Sequence, residues 1–414
     1  MAKTSPLAPK RFPKIPAIAG VTLATVAAGL RYRSQLDVLL VETALGTTVA
    51  GMLTKSQTAS APVQWCRKAL KGRAARALVV NSGNANVFTG KVGEQAVTKT
   101  VNKAASLLKC PKNNVYVCST GVIGEDLPVQ KILDRLPDLY GSLKPGDWEA
   151  AARAIMTTDT FPKGSVRTAT IAGKKVTIAG IAKGSGMIAP DMATMLSYVF
   201  TDAKIPAKVL QTLTTQFVDQ TYNSITVDSD TSTSDTVLLF ATGQGAAHKK
   251  VTAASNPHIK NFCKVLKEVM TDLAHQVVKD GEGASKFIAV TITGAANDTA
   301  ARRIGLTVAN SPLVKTAIAG EDANWGRLIM AVGKAPDRVN QKKLKIKMGG
   351  ILIANGQGAV KGYNERPVAK HLKGQNIDIV IDVGIGSKNG GGKATVWTCD
   401  LTHEYISINA DYRS

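Results

Sequence analysis

KGSGMIAPDMATMLSYVF, residues 183 to 200, decides how the rest of the chain is read. A basic residue and two glycines, Gly184 and Gly186, lead into TMLSYVF, an apolar run with the composition of a buried strand. At the joint stands Ala193-Thr194, a small residue followed by a hydroxyl. Threonine is a good strand former, so its place at the head of a strand has an ordinary explanation. A second reading is chemical. The glycines permit a tight backbone, and Ala193 has no bulk to shield its carbonyl. The Thr194 hydroxyl can attack that carbonyl and shift the peptide to an ester, which water opens to leave a new N-terminus at Thr194.

An N-terminal threonine carries nucleophile and base in one residue. Its α-amine has a reference pKa of ~7.7–8.0, so a useful fraction is neutral near pH 7 and can take the proton from Oγ1. No histidine is then required, which suits a chain whose five histidines are dispersed. A companion stretch, CSTGVIGE at 118–125, reads as a strand ending in Thr120-Gly121. A hydroxyl and an unhindered backbone N–H there make two donors for a tetrahedral oxyanion, and losing one such donor typically costs on the order of 10²–10³ in rate. The plain alternative for Thr120-Gly121 is a turn.

Outward from this centre, residues 1–16 read as an extended arm. DVLLVETA (37–44), GTTVAGMLT (46–54), ARALVVNSG (75–83), NVYVCSTGVIG (114–124) and TVLLFATG (236–243) read as strands. SVRTATIAGKKVTIAGIAKGSG (165–186) reads as a hairpin turned at Gly173. Helical spacing of apolar residues predicts helices over 61–72, 91–109, 128–138, 147–156, 206–221 and 257–278. The last hundred residues mix both kinds of element. Strands and helices do not alternate regularly, which disfavours a doubly wound parallel sheet. The pattern predicts a layered α/β (α+β) structure, a helix–sheet–helix sandwich with helices covering mixed sheets. The glycines of GIGSKNGGG (384–392) lack dinucleotide-binding spacing, and GQGAAHK (243–249) lacks a phosphate-loop pattern.

The 414 residues suit two or three packed lobes. No apolar run reaches the ~20 residues of a membrane helix. The first twenty residues lack the continuous apolar stretch of a secretory signal, and the scattered cysteines make a reducing, cytoplasmic setting the expectation. The five cysteines are odd in number and scattered without a CxxC pair, which supports neither a zinc site nor a disulfide framework. A net charge of +22 invites a nucleic-acid reading. Yet the basic residues are spread along the whole chain and aromatics make up only 5%, so a basic solvated surface, useful for attracting acidic small molecules, is the better account.

The sequence as a whole resembles the ornithine acetyltransferases, also called glutamate N-acetyltransferases, of arginine biosynthesis. The resemblance is carried by KGSGMIAPDMATML, by SPLAPKRFPKIPAIAGVTLATVAAGLRY near the start, and by NSGNANVFTG, STGVIGEDLP, TTDTFPK, DSDTSTSDTV, DGEGASKF, GEDANWGR and WTCDLTHEYISINADY, in that order along the chain. It implies an N-terminal-nucleophile type of architecture and self-cleavage between Ala193 and Thr194. The products would be an α chain of residues 1–193 and a β chain of 194–414 that stay together, expected as a dimer of αβ units, a heterotetramer. It implies acetyl transfer from N2-acetylornithine to glutamate, with Thr194 carrying the acetyl group and Thr120 and Gly121 forming the oxyanion hole. Substrate contacts carry over to Thr157, Lys183, Thr194, Glu282, Asn409 and Ser414. Lys183 suits a substrate carboxylate and Glu282 the ammonium of ornithine, although spacing alone does not separate either from ordinary surface charge. No metal, organic cofactor, nucleic acid or membrane is implied; acetyl-CoA is a candidate second acetyl donor. The chain departs from the family pattern at Asp191, usually Asn, and at Ser414, usually Thr. On residues alone two other functions stay open: a self-processing amidase or aminopeptidase with water as acceptor, and a basic nucleic-acid-binding protein.

Overall fold

The computed structural model describes residues 3–31, 34–189, 195–386 and 391–410. Asp191, Ala193, Thr194 and Ser414 lie outside the described residues. Along the chain run β1 (Val21–Val26), β2 (Val38–Thr43), β3 (Thr48–Leu53), α1 (Ala61–Ala69), β4 (Ala77–Asn81), α2 (Gly90–Leu107), β5 (Val115–Ser119), α3 (Val129–Gly141), α4 (Trp148–Ala154), β6 (Lys163–Ile171), β7 (Lys174–Lys183) and β8 (Leu196–Thr201). There follow α5 (Ala207–Gln220), β9 (Thr236–Ala241), α6 (Lys260–Lys279), β10 (Phe287–Ala295), α7 (Asp298–Ala309), α8 (Pro312–Ala319), α9 (Trp325–Gly333), β11 (Lys345–Met348), β12 (Ile351–Asn355), β13 (Gly358–Ala359), α10 (Arg366–Leu372), β14 (Asn376–Asp382), β15 (Gly392–Cys399) and α11 (His403–Ala410).

Local chemistry explains the main elements. Ser60 caps α1 by accepting from Val63 N, and Pro62 sits in its first turn, where a missing N–H costs nothing. In α6 the buried positions Phe262, Val265, Leu266, Val269, Met270, Leu273 and Val277 follow the three-and-four spacing of one apolar stripe. The β6–β7 hairpin closes Ile171 onto Lys174 through Ala172 and Gly173, both at positive φ, the turn whose twist matches the strands.

The strands form three sheets, ordered β1-β2-β4-β5, β3-β9-β8-β7-β6 and β13-β12-β11-β14-β10-β15. The first two face each other. Leu39, Leu78, Tyr116 and Cys118 of one meet Ile181, Tyr198, Phe200 and Phe240 of the other in a single apolar layer, with Phe200 stacked on Phe240 at 4.9 Å. Helices α2 and α3 cover the outer face of the first sheet through Val97, Val101, Ile132 and Leu136. Helices α5 and α6 cover the second through Leu210, Leu213, Val269 and Leu273. Each such fully buried side chain contributes about 1.5–3 kcal/mol. The third sheet packs its own helices α7 to α10 and meets α6 at Phe287, Trp397 and Cys399. The layered α/β architecture expected from the sequence is thus present, as facing mixed sheets between helix layers with a third helix-covered sheet beside them.

The second sheet mixes strands from both sides of residue 194. In it β8 pairs antiparallel with β7 and parallel with β9, and β9 pairs with β3. The amino-terminal arm forms no regular element and crosses the layers. Its Ser5 hydroxyl donates to Lys279 O, and Pro16 O accepts from Trp148 Nε1 at 3.0 Å. All five cysteines are free thiols. No helix among the described residues is long and apolar enough to cross a membrane.

Candidate active site

At one end of the facing sheets, where the chain leaves β5 and β7 and enters β8, lies a cavity of about 490 Å³. Its wall brings together Thr120, Gly121, Thr157, Lys183, Glu282 and Asn409, with Met195 and Leu196, the residues after Thr194, and Ala410 near the carboxyl end. These six residues expected from the sequence are spread over 290 sequence positions, and the fold puts them around one space. Thr194, Ala193 and Ser414 fall outside the described residues.

Thr120 and Gly121 follow β5 directly. The loop after β4 crosses beneath them: Thr120 N donates to Asn81 O at 3.0 Å, and Val122 N to Gly83 O at 3.3 Å. Buried asparagines hold that loop, with Asn81 Nδ2 donating to Asn84 O and the Ser119 hydroxyl to Asn81 Oδ1 at 2.6 Å. Gly121 has φ +131°, and a Cβ there would overlap the Gly83 and Asn84 backbone, so only glycine fits. Both residues line the cavity.

The glycine loop after β7 is tied down atom by atom. Gly184, at φ +146°, donates its N–H to Asp159 Oδ1 at 2.6 Å. Asp159 Oδ2 takes the Thr157 N–H at 3.0 Å, and Oδ1 takes the Lys163 ammonium at 2.6 Å. Lys163 also reaches Asp280 at 2.5 Å, and both side-chain pairs are fully buried. Burial pushes the Asp159 carboxyl up, but the Lys163 and Lys183 ammoniums and the hydrogen bonds outweigh it and hold the group well below the usual carboxylate range. Farther along, Asp228 accepts from Met187 N at 2.5 Å and Ile188 N at 2.8 Å, and the Thr158 hydroxyl lies 2.6 Å from that of Ser185. A Cβ on Gly186 would overlap the Glu282 carboxyl, so this glycine serves a close approach.

Two opposite charges face the space. Lys183, the last residue of β7, stands level with Leu196 on β8 and makes no ion pair or hydrogen bond from its ammonium among the described residues. Burial lowers its pKa, opposed by the nearby Asp159, Asp235 and Glu282 carboxylates. Glu282 is 8% exposed; burial raises its pKa, opposed by the hydrogen bond from Asn409 Nδ2 at 2.7 Å. Both are buried in a concave wall, which removes the ordinary-surface-charge alternative. Among the described residues three further atoms on the wall, Thr233 Oγ1, Ser234 Oγ and Asp235 Oδ2, are buried without a partner. A buried polar group without a protein partner costs about 1–3 kcal/mol unless a polar ligand or water satisfies it, so these atoms suit a polar occupant of the cavity.

Sequence reasoning left Asp159, Asp228 and Asp235 without roles. Their signal was present, since they sit in TTDTFPK and DSDTSTSDTV, two of the quoted motifs. Among the described residues no group of three or more His, Cys, Asp or Glu side chains is arranged to hold a metal ion. The cavity wall thus combines a threonine hydroxyl and a glycine backbone with a buried cation and a buried carboxylate. That is a site for acyl chemistry on an amino-acid substrate.

Known proteins resemble the chain along its whole length. The chain is similar to the arginine biosynthesis bifunctional protein ArgJ of Gluconobacter oxydans, 52% identical over 416 aligned positions that span all of this chain and 97% of that protein. The protein of the same name from Bradyrhizobium diazoefficiens is likewise 52% identical, over the full length of both. A crystal structure of ArgJ from Bacillus halodurans is 40% identical, covering 51% of this chain and 97% of that chain with a TM-score of 0.49. The model of the ArgJ family matches residues 22–414, and the chain belongs to that family.

Proposed function

We propose that the protein is a glutamate N-acetyltransferase that moves the acetyl group of N2-acetylornithine to glutamate, releasing ornithine and N-acetylglutamate. The observation that carries the reading is the cavity at the head of β8, whose wall joins Thr120 and Gly121 to the Lys183 and Glu282 pair. In this reading the chain cuts itself between Ala193 and Thr194, and the α and β chains remain one molecule, in the cytoplasm, as a dimer of αβ units. Thr194 Oγ1 attacks the acetyl carbonyl, with its own α-amine as base. The Gly121 N–H and the Thr120 hydroxyl take the developing oxyanion. Lys183 meets the substrate carboxylate, Glu282 the ammonium of the ornithine side chain, and Thr157, Asn409 and Ser414 complete the orientation. Glutamate then enters the same pocket and takes the acetyl group from threonine. Water competes poorly because the charged groups are buried around the reacting centre. Neither a metal nor an organic cofactor enters the proposed chemistry.

A second donor belongs to the same proposal, since the curated relatives are named bifunctional. Acetyl-CoA would acetylate the same threonine. The test begins with the intact mass of the purified protein under denaturing conditions. Two pieces of roughly 20 and 23 kDa, scaled from chain length, with the larger starting Thr-Met-Leu-Ser, are expected. Glutamate-dependent release of ornithine from N2-acetylornithine should follow. A chain that stays whole on prolonged incubation would remove the amine base and sink the mechanism. Release of acetate without any dependence on glutamate would point to a hydrolase instead.

A further inference from the structure

Asp235 borders the cavity with one side of its carboxylate committed and the other open. The residue is 5% exposed. Among the described residues its Oδ2 is buried and meets no donor, while the Met195 N–H hydrogen-bonds to the carboxylate. The backbone around it is fixed on both sides. Thr54 N donates to Asp235 O at 3.0 Å, and Thr236 N to Met195 O at 2.9 Å, where β9 runs parallel beside β8. This carboxylate therefore stands level with the head of β8, beside Lys183, in the same wall as Thr120 and Gly121. Glu282, the other acid on that wall, already accepts from Asn409.

Acyl transfer between amines raises a problem that the groups assigned so far leave unsolved. An amino-acid acceptor arrives as an ammonium, which has no lone pair with which to attack, and the departing amine must leave as one. We propose that Asp235 takes the proton from the incoming ammonium and returns it to the amine that departs in the next turnover. This rests on the acetyl-transfer reading given above.

The steps balance. In the first half the donor's amide C–N bond breaks as the ester C–O bond forms. The nucleophile's hydroxyl proton passes through its α-amine to the leaving nitrogen, and Asp235, protonated at this stage, gives that amine a second proton. In the second half the acceptor's ammonium gives one proton to the Asp235 carboxylate. Its nitrogen then forms the new C–N bond, the ester C–O bond breaks, and another nitrogen proton goes to the nucleophile's oxygen. One proton is borrowed and returned per cycle. Burial pushes the Asp235 carboxyl well above the usual carboxylate range, against the pull of Lys183 and the Met195 N–H, which suits a group that must hold a proton between halves.

The test is Asp235→Asn, read in the second half alone. Acetyl-enzyme is formed with N2-acetylornithine, and its decay is followed by intact mass after adding either glutamate or hydroxylamine, an amine that is already neutral at neutral pH. Asp235→Asn should slow decay with glutamate by roughly 10²-fold, the lower end of general acid–base contributions, and leave decay with hydroxylamine within a few-fold of wild type. If this variant stays uncut, residues 1–193 and 194–414 are co-expressed as separate chains and the same measurement is made. Equal slowing with both acceptors, or slowing with neither, overturns the role of Asp235 while leaving acetyl transfer intact. Failure of the wild-type protein to form any acetyl-enzyme overturns the transfer reading and this inference with it.

Discussion

Asn409 Nδ2 donates to Glu282 Oε2 at 2.7 Å and binds the last helix to the loop before β10. The contact holds a buried carboxylate in an orientation set from outside its own loop. Glu282→Gln keeps the acceptor for Asn409 but removes the charge offered to a substrate ammonium. A charge-assisted contact made equally in ground and transition states sets KM rather than kcat. KM for N2-acetylornithine should therefore rise roughly 10–100-fold, from the ~1.5–3 kcal/mol of a hydrogen bond to a charged group, with kcat changed little.

The same substitution should stabilise the fold, with a definite pH dependence. Burial raises the Glu282 pKa above its unfolded value. The native state therefore loses stability as pH rises from ~4.3, the unfolded value, through the raised native value, because the carboxylate must ionise in a poor medium. Glutamine does not ionise. Thermal melts should show the advantage of Glu282→Gln growing across that window and reaching a plateau above it. An advantage that shrinks as pH rises would mean that Glu282 is better solvated than its position implies.

Thr120 and Gly121 answer differently to substitution. Thr120→Ala removes a hydroxyl at the cavity wall and leaves the backbone alone, so the protein should fold normally and lose on the order of 10²–10³ in kcat. Thr120→Ser should restore most of that loss. Gly121→Ala forces a Cβ at φ +131° into the Gly83 and Asn84 backbone, so it should lower the melting temperature as well as the rate. Steady-state kinetics beside thermal melts separate the two. Equal melting temperatures for both alanine variants would show that the loops after β4 and β5 can part without cost.

Much of this was legible in the sequence because the signals were local. The β6–β7 hairpin announced itself at Gly173, and α6 by its apolar stripe. The strand β1, VTLATV, was passed over although Gly20, in a turn at φ +80°, sets it off from the Pro-rich arm. Helix α11 carries no buried residue, so no periodicity marked HEYISINA as helical. Thr120, Lys183 and Glu282 were found through the motifs around them. Asp159 was not, since its work is to join Thr157, Lys163 and Gly184, and no spacing along the chain reports a meeting of three segments.

That meeting gives a prediction of its own. Lys163 is fully buried between Asp159 and Asp280, and both acids also hold backbone N–H groups. Lys163→Met would leave two carboxylates facing each other without the cation that bridges them. Removing one partner from a buried pair typically costs about 3–5 kcal/mol, which denaturant melts at neutral pH should show. The sign of the pH effect follows from Asp159, whose pKa is depressed in the native state. Its contribution is full above the unfolded carboxylate value and is lost as pH falls through the native one. The gap between wild type and Lys163→Met should therefore narrow in strong acid.

The second sheet also says how a cut chain would behave. Strands β3, β6 and β7 precede residue 194, and β8 and β9 follow it. β8 pairs with β7 from Leu196–Lys183 to Thr201–Ile178, and β9 pairs with β3 from Thr236–Leu53 to Ala241–Thr48. Two backbone ladders thus cross the proposed break, and behind them Phe200 and Phe240 of the later piece pack against Tyr116 and Trp148 of the earlier one. Separating the pieces would unpair both ladders and expose an apolar layer, so they can part only by unfolding. Gel filtration of the processed protein should yield one species containing both pieces in equal amount. Dilution should not resolve them, and denaturant should release them in the same transition that abolishes the circular dichroism of the fold. Release of either piece before that transition would show that the second sheet is not the joint that holds the molecule together.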